Sequence, residues 1–147
     1  MKKTIFVTAL LVALSTIAFA GENNVDKKLL NDLTKSLKST FEGKWTDRAN
    51  YTLYTFNFNG KSAEAYYDLN DNELIGFGMH FTKTDLPQFI SDAIKKKYSD
   101  WSIADAMVFI DKTGYVNYFT QVTKNKANIA LKVTTDGQVS IYSKMPN

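Results

Sequence analysis

Two stretches of this chain place an apolar residue at every fourth position. Leu29, Leu33, Leu37 and Phe41 form one row, and Leu86, Ile90, Ile94 and Tyr98 form the other. Such a row marks one face of an α-helix. All four positions of the second row follow the first at an offset of 57 residues, and Trp45 and Trp101 are separated by 56. This correspondence predicts an internal repeat. Asn23 or Asn24 can cap the first helix. Asp85 can cap the second, with Pro87 in its first turn and Gln88 at its third helical position.

After each helix the period changes to two. Tyr54, Phe56 and Phe58 alternate with Thr55 and Asn57, and Asn59-Gly60 is a strong hairpin signal. Ala63, Ala65, Tyr67 and Leu69 continue the apolar side, Asn70-Asp71-Asn72 turns the chain, and Ile75, Phe77, Met79 and Phe81 form a third strand. The second half repeats the theme. Strands are expected over 103–110, 115–123, 128–134 and 139–144, with turns near Gly114, Asn125 and Asp136-Gly137. The expected fold is α+β: a tandem repeat of one helix plus three or four antiparallel strands, with both helices on one face of a curved sheet. The repeats span about 25–82 and 85–145. No Pro/Gly/Ser linker separates them.

The first twenty residues read differently. Lys2 and Lys3 precede a short apolar run, and Ala18-Phe19-Ala20 is a small-x-small cleavage site. This is the pattern of a secretory signal peptide over 1–20, leaving 21–147 as one domain. The run is shorter than the ~20 residues of a spanning helix. The expected location is therefore the periplasm or the medium, with no membrane insertion after cleavage. Loss of Lys2 and Lys3 leaves 16 basic residues against 15 acidic ones, so the mature chain is near +1. That balance gives no reason to expect nucleic acid as a partner. Lys95-Lys96-Lys97 is the one dense basic cluster and suits a solvated helix C-terminus.

The chain has no cysteine and one histidine, His80, which excludes a thiol nucleophile and a histidine-rich zinc site. No nucleophile elbow, phosphate loop or dinucleotide fingerprint occurs. Asp68, Asn70 and Asn72 have the alternation of a calcium loop, but Glu73 and Met79 stand where its Gly and Glu belong, so an Asx-rich turn is expected. Asp105, Asp111 and Glu64 are scattered carboxylates that could meet in space. The reading is a non-enzyme without metal or cofactor.

The segment from Leu86 to Lys144 resembles the PepSY-like, β-lactamase-inhibitor-like family of exported bacterial proteins. The resemblance rests on Leu86-Pro87 opening a helix, Tyr98 at its end, Ile103 leading a strand, and the Asp136-Gly137 turn. Trp45, Asn59-Gly60 and Tyr67-Asp68 are similar to the family's other half. The resemblance implies a sheet with one open face, which related inhibitors use to clamp an enzyme. Those inhibitors carry disulfides, and this chain has no cysteine to form one.

Alternation places Thr55, Asn57, Glu64, Tyr66, Gly76, Gly78 and His80 on the open face, then Tyr115, Asn117, Phe119, Gln121, Asn128, Lys132 and Tyr142. Aromatic anchors among adaptable polar groups are the composition of a recognition surface, and equally of an ordinary sheet stabilised by cross-strand ring pairs. Gly76 and Gly78 are expected to expose backbone there. Tyr66, His80, Phe119 and Tyr142 are the expected contact residues, with Asn57 and Lys132 beside them. The expected function is an exported, non-enzymatic module that binds a protein or peptide. The alternative is an inhibitor of an exported hydrolase, either a protease or a β-lactamase. Nothing in the pattern fixes an oligomeric state.

Overall fold

The computed structural model describes residues 41–144 and, before them, Lys28, Asp32, Lys35 and Leu37. Eight strands run β1 (Gly43–Asp47), β2 (Tyr51–Phe58), β3 (Lys61–Asp68), β4 (Leu74–Phe81), β5 (Ser102–Asp111), β6 (Val116–Lys124), β7 (Ala127–Thr134) and β8 (Val139–Lys144). One helix with defined ends, α1 (Gln88–Lys97), lies between β4 and β5. All eight strands pair in sequence order, each antiparallel to the last.

This single sheet replaces the expected tandem repeat of helix plus three or four strands. The two halves do not separate. β4 pairs with β5 from Gly76 opposite Asp111 to Phe81 opposite Ala106, across the point where the repeats were to meet. The helix is an excursion within a meander, not the start of a second unit. A row of apolar residues at every fourth position is what any helix packed by one face needs, so the shared spacing carried no information about duplication. Of the first row, Leu37 is helical and fully buried, and Phe41 stacks on Phe56 at 5.1 Å. Leu29, Leu33, the Asn23 and Asn24 caps and the 1–20 signal sequence lie outside the described residues.

Local chemistry explains the turns. Asn59 (φ 49°) and Gly60 (φ 78°) both take the left-handed conformation that a tight two-residue hairpin demands. The Gly60 N–H donates to the Asn57 carboxamide oxygen at 2.9 Å. The Asp68 carboxylate accepts from the Asn70 N–H at 2.7 Å, and Asp111 accepts from the Thr113 N–H at 2.8 Å, so both act as Asx turns. Asp85 does not cap the helix. It pairs with Lys61 at 3.0 Å and accepts from the Thr82 hydroxyl at 3.0 Å, while Pro87 sits at the cap and offers its carbonyl to Ile90.

One face of the sheet forms the core. Tyr54, Phe56, Ala65, Phe77, Met79, Val108, Tyr118 and Leu131 pack beneath Leu37, Leu86, Ile90 and Ile94. Each buried aliphatic side chain removes apolar area worth roughly 1.5–3 kcal/mol from water. At the Tyr66/Tyr67 irregularity the register slips, so Tyr67 faces Leu74 and Tyr66 faces Gly76. The skipped residue, Ile75, contributes to the opposite face instead of the core. Leu69, expected on the apolar side, is exposed in the turn.

Candidate functional site

The sheet face turned away from α1 carries a row of rings. Tyr51 and Tyr66 lie 5.3 Å apart, Tyr66 and Phe109 5.4 Å, Phe109 and Phe119 6.4 Å, and Phe119 and Tyr142 4.9 Å. The row crosses from β2 to β8, and every contact is within the range of favourable ring pairs. It borders a concavity of about 530 Å³, lined mainly by these rings and by Met107, Ile75 and Ala130. His80, Asp105, Gln121 and the tyrosines are its polar residues, and Thr120, which also borders it, donates its hydroxyl to the Asp105 carbonyl at 2.8 Å.

Two glycines make the row possible. β4 lies between the strands of Tyr66 and Phe109, so side chains there would separate the rings. At Gly76 a Cβ would fall 2.3 Å from the Phe109 ring. At Gly78 it would fall 3.3 Å from Tyr66 and 3.0 Å from the Met107 sulfur. Both glycines are buried. The expected exposed backbone is therefore covered by neighbouring rings and the Met107 thioether.

Polar groups form a relay at one side of the row. Tyr66 donates its hydroxyl to the Glu64 carboxylate at 2.5 Å, and His80 Nε2 meets the same oxygen at 3.1 Å. His80 Nδ1 lies 4.0 Å from Asp105 Oδ2. The hydrogen bond to Glu64 raises the His80 pKa above its ordinary value, against the opposing effect of burial. The hydrogen bond from His80 lowers the Glu64 pKa, again against burial. Burial first, and then the Glu64 hydrogen bond, push the Tyr66 phenol well up, so it remains a neutral donor.

Tyr66, His80, Phe119 and Tyr142 all border the one concavity. Asn57 and Lys132 do not. Asn57 is engaged in the β2–β3 turn, and Lys132 sits on β7 opposite Phe119 and Ser140. Sequence reasoning did not pick out Tyr51, Met107 and Phe109 as contact residues. Met107 and Phe109 lie within the nearly continuous apolar run 106–110, where alternation is invisible. The Gly76-x-Gly78 pair was the available signal, because glycines in a strand mark a place where neighbouring groups close over it. Among the described residues no group of three or more His, Asp or Glu side chains is arranged to hold a metal ion.

No protein-family model matches the chain, and no curated protein matches it. Solved structures do. A DUF2874 family protein from Bacteroides uniformis is 14% identical, with a TM-score of 0.65 over 76% of this chain and 83% of that one. A BLIP-like protein from Bacteroides fragilis is 16% identical, with a TM-score of 0.62 over 71% and 75%. A protein from Bacteroides eggerthii, inferred to be periplasmic, is 16% identical, with a TM-score of 0.64 over 83% and 88%. At these identities the likeness establishes a BLIP-like fold, which agrees with the β-lactamase-inhibitor-like part of the sequence resemblance. It does not extend to the PepSY-like family. No helix among the described residues is long and apolar enough to cross a membrane.

Proposed function

We propose that this chain is an exported, non-enzymatic binding module of the PepSY-like kind, which recognises a protein or peptide through its open sheet face. The observation that carries the reading is the five-ring row ending at Tyr142, whose side chain is 67% exposed on the edge strand. A large exposed ring beside a mainly apolar concavity is the arrangement of an interaction anchor. The polar relay is closed on itself at one side of the row, where Glu64 is hydrogen-bonded by Tyr66 and paired with His80. Export is supported by the sequence of residues 1–20 and by the structural neighbour inferred to be periplasmic.

The test is affinity capture from the exported fraction of the cells that make the protein. The parent is compared with Tyr142→Ala, a change at an exposed ring that should leave the thermal midpoint unaltered. Loss of the captured partner supports the reading; undiminished capture by the folded variant rejects it. A second reading, inhibition of an exported protease or β-lactamase, is favoured by the neighbour described as BLIP-like. Titration against a panel of such hydrolases decides it. A stoichiometric end point supports inhibition, and full activity at micromolar protein removes it.

A further inference from the structure

We propose that the concavity is a receptor for a basic side chain, arginine above all, presented on an exposed segment of the partner; this rests on the binding-module reading. The argument begins with charge. His80 and Asp105 are the ionisable His, Asp, Glu, Lys or Arg residues on its lining, and no lysine or arginine is among them. The His80 charge is matched from behind by Glu64 at 3.1 Å. His80 thus stands between two carboxylates, and Asp105 is the more exposed and more loosely paired of them, at the rim. Its side chain is 62% exposed, and its one ion-pair contact among the described residues is His80 at 4.0 Å, beyond hydrogen-bond range. Asp105 Oδ1 accepts the Ala106 N–H at 2.8 Å, which orients the carboxylate and leaves Oδ2 for a guest.

The surroundings select the kind of cation. Asp105 and Met107 are two positions apart on β5, and Met107 pairs with Phe119 on β6. Diagonal neighbours on a sheet lie about 7–8 Å apart, so one extended arginine side chain can span from the Phe119–Tyr142 rings to Asp105. Its aliphatic stem would lie along the apolar lining, with its guanidinium stacked on a ring and donating to Oδ2. A lysine supplies the charge without the planar stack. An anionic guest is disfavoured, because His80 Nε2 is already directed at Glu64 and Asp105 would repel it.

The experiment titrates the mature chain with four acetylated, amidated peptides of sequence Gly-Leu-X-Leu-Gly, where X is arginine, lysine, citrulline or glutamate. Backbone amide shifts of Ala106, Met107, Phe119 and Gln121 are followed by NMR. The expected order is arginine, then lysine, then citrulline, then glutamate, with arginine about tenfold tighter than citrulline and the gap closing at high salt. Asp105→Asn should bring arginine down to the citrulline level without changing the fold. Equal binding of arginine and citrulline overturns the proposal, as does an arginine preference that survives Asp105→Asn. Concentration-dependent shifts of the free protein at these amides would identify a second copy as the occupant and also overturn it. If no peptide binds while partner capture still depends on Tyr142, the cation receptor is refuted and the binding module stands. If capture ignores Tyr142, the binding module itself fails.

Discussion

The sharpest test of the ring row is a pair of alanine substitutions two residues apart. Neither Gly76 nor Gly78 has a positive φ, so alanine meets no backbone strain at either position. Shortening the unfolded chain's range of conformations would by itself stabilise each variant by about 0.4–1 kcal/mol. Space separates them. At Gly76 the new methyl lies 2.3 Å from the Phe109 ring tip and 2.8 Å from the Ile110 carbonyl oxygen, a backbone atom that cannot swing aside. Overpacking of this kind costs about 1–3 kcal/mol. Moving Phe109 also weakens its contacts with Tyr66 and Phe119, worth about 0.5–1.5 kcal/mol each. The net expectation is a loss of about 1–2 kcal/mol for Gly76→Ala. At Gly78 the nearest atom is the flexible Met107 sulfur at 3.0 Å, so Gly78→Ala should stay within about 1 kcal/mol of the parent. For a domain of this size 1 kcal/mol moves the thermal midpoint by about 3–5 °C. Calorimetry should therefore show a drop of about 3–10 °C for Gly76→Ala and little change for Gly78→Ala. The Gly76→Ala/Phe109→Leu double variant should show a favourable coupling of about 0.5 kcal/mol or more. Equal effects at the two glycines, or a Gly76→Ala variant as stable as the parent, would refute the claim that the Phe109 ring fills that space.

Other expectations follow from the core and the relay. Ile90→Ala empties a fully buried site between α1 and the sheet and should cost about 2–5 kcal/mol by urea titration. Tyr54→Phe removes the 2.5 Å hydrogen bond from its hydroxyl to the Phe41 carbonyl and should cost about 0.5–1.5 kcal/mol, with the fold retained. The His80–Glu64 pair makes stability depend on pH. The raised His80 pKa gives stability fully present below its ordinary 6.5 and lost as pH rises through the folded value. The lowered Glu64 pKa gives stability present above its ordinary 4.5 and lost as pH falls through the folded value. The pair therefore contributes most between these limits. Urea midpoints should fall from pH 5.5 to pH 8.5 in the parent, and His80→Gln should flatten that fall. An unchanged slope in the variant would remove His80 as its cause.

The parts of the fold that were legible depend on neighbours along the chain. Alternation in 54–58 and 63–67 placed Tyr54, Phe56, Ala63 and Ala65 in the core, and Asn59-Gly60 marked the β2–β3 hairpin. The spacing of Ile90 and Ile94 identified the buried face of α1. What failed depends on contacts distant in sequence. Whether one helix implies a second unit is decided by how β4 meets β5, and no local pattern records that pairing. Asp85 looked like a cap because Gln88 follows it, yet Lys61, 24 residues earlier, holds it elsewhere. The irregularity at Tyr66/Tyr67 turned Ile75 to the other face, which period-two reading cannot foresee.

The open face shows the same division at closer range. Tyr66, His80, Phe119 and Tyr142 could be placed together because strict alternation assigns a face without needing to know the partner strand. The chemistry of the place could not be read that way. Glu64 was one scattered carboxylate until the β3–β4 register set it beside His80, which leaves Asp105 as the more exposed and more loosely paired of the two carboxylates. Gly76 and Gly78 then acquire a definite purpose. Side chains at those two positions would hold Tyr66 and Phe109 apart and break the row where it crosses β4. The sheet gives up two cross-strand side-chain contacts there and gains an unbroken aromatic surface beside one exposed carboxylate. Those ring contacts stabilise the sheet in their own right, and the same packing forms the surface on which the proposed guest would rest.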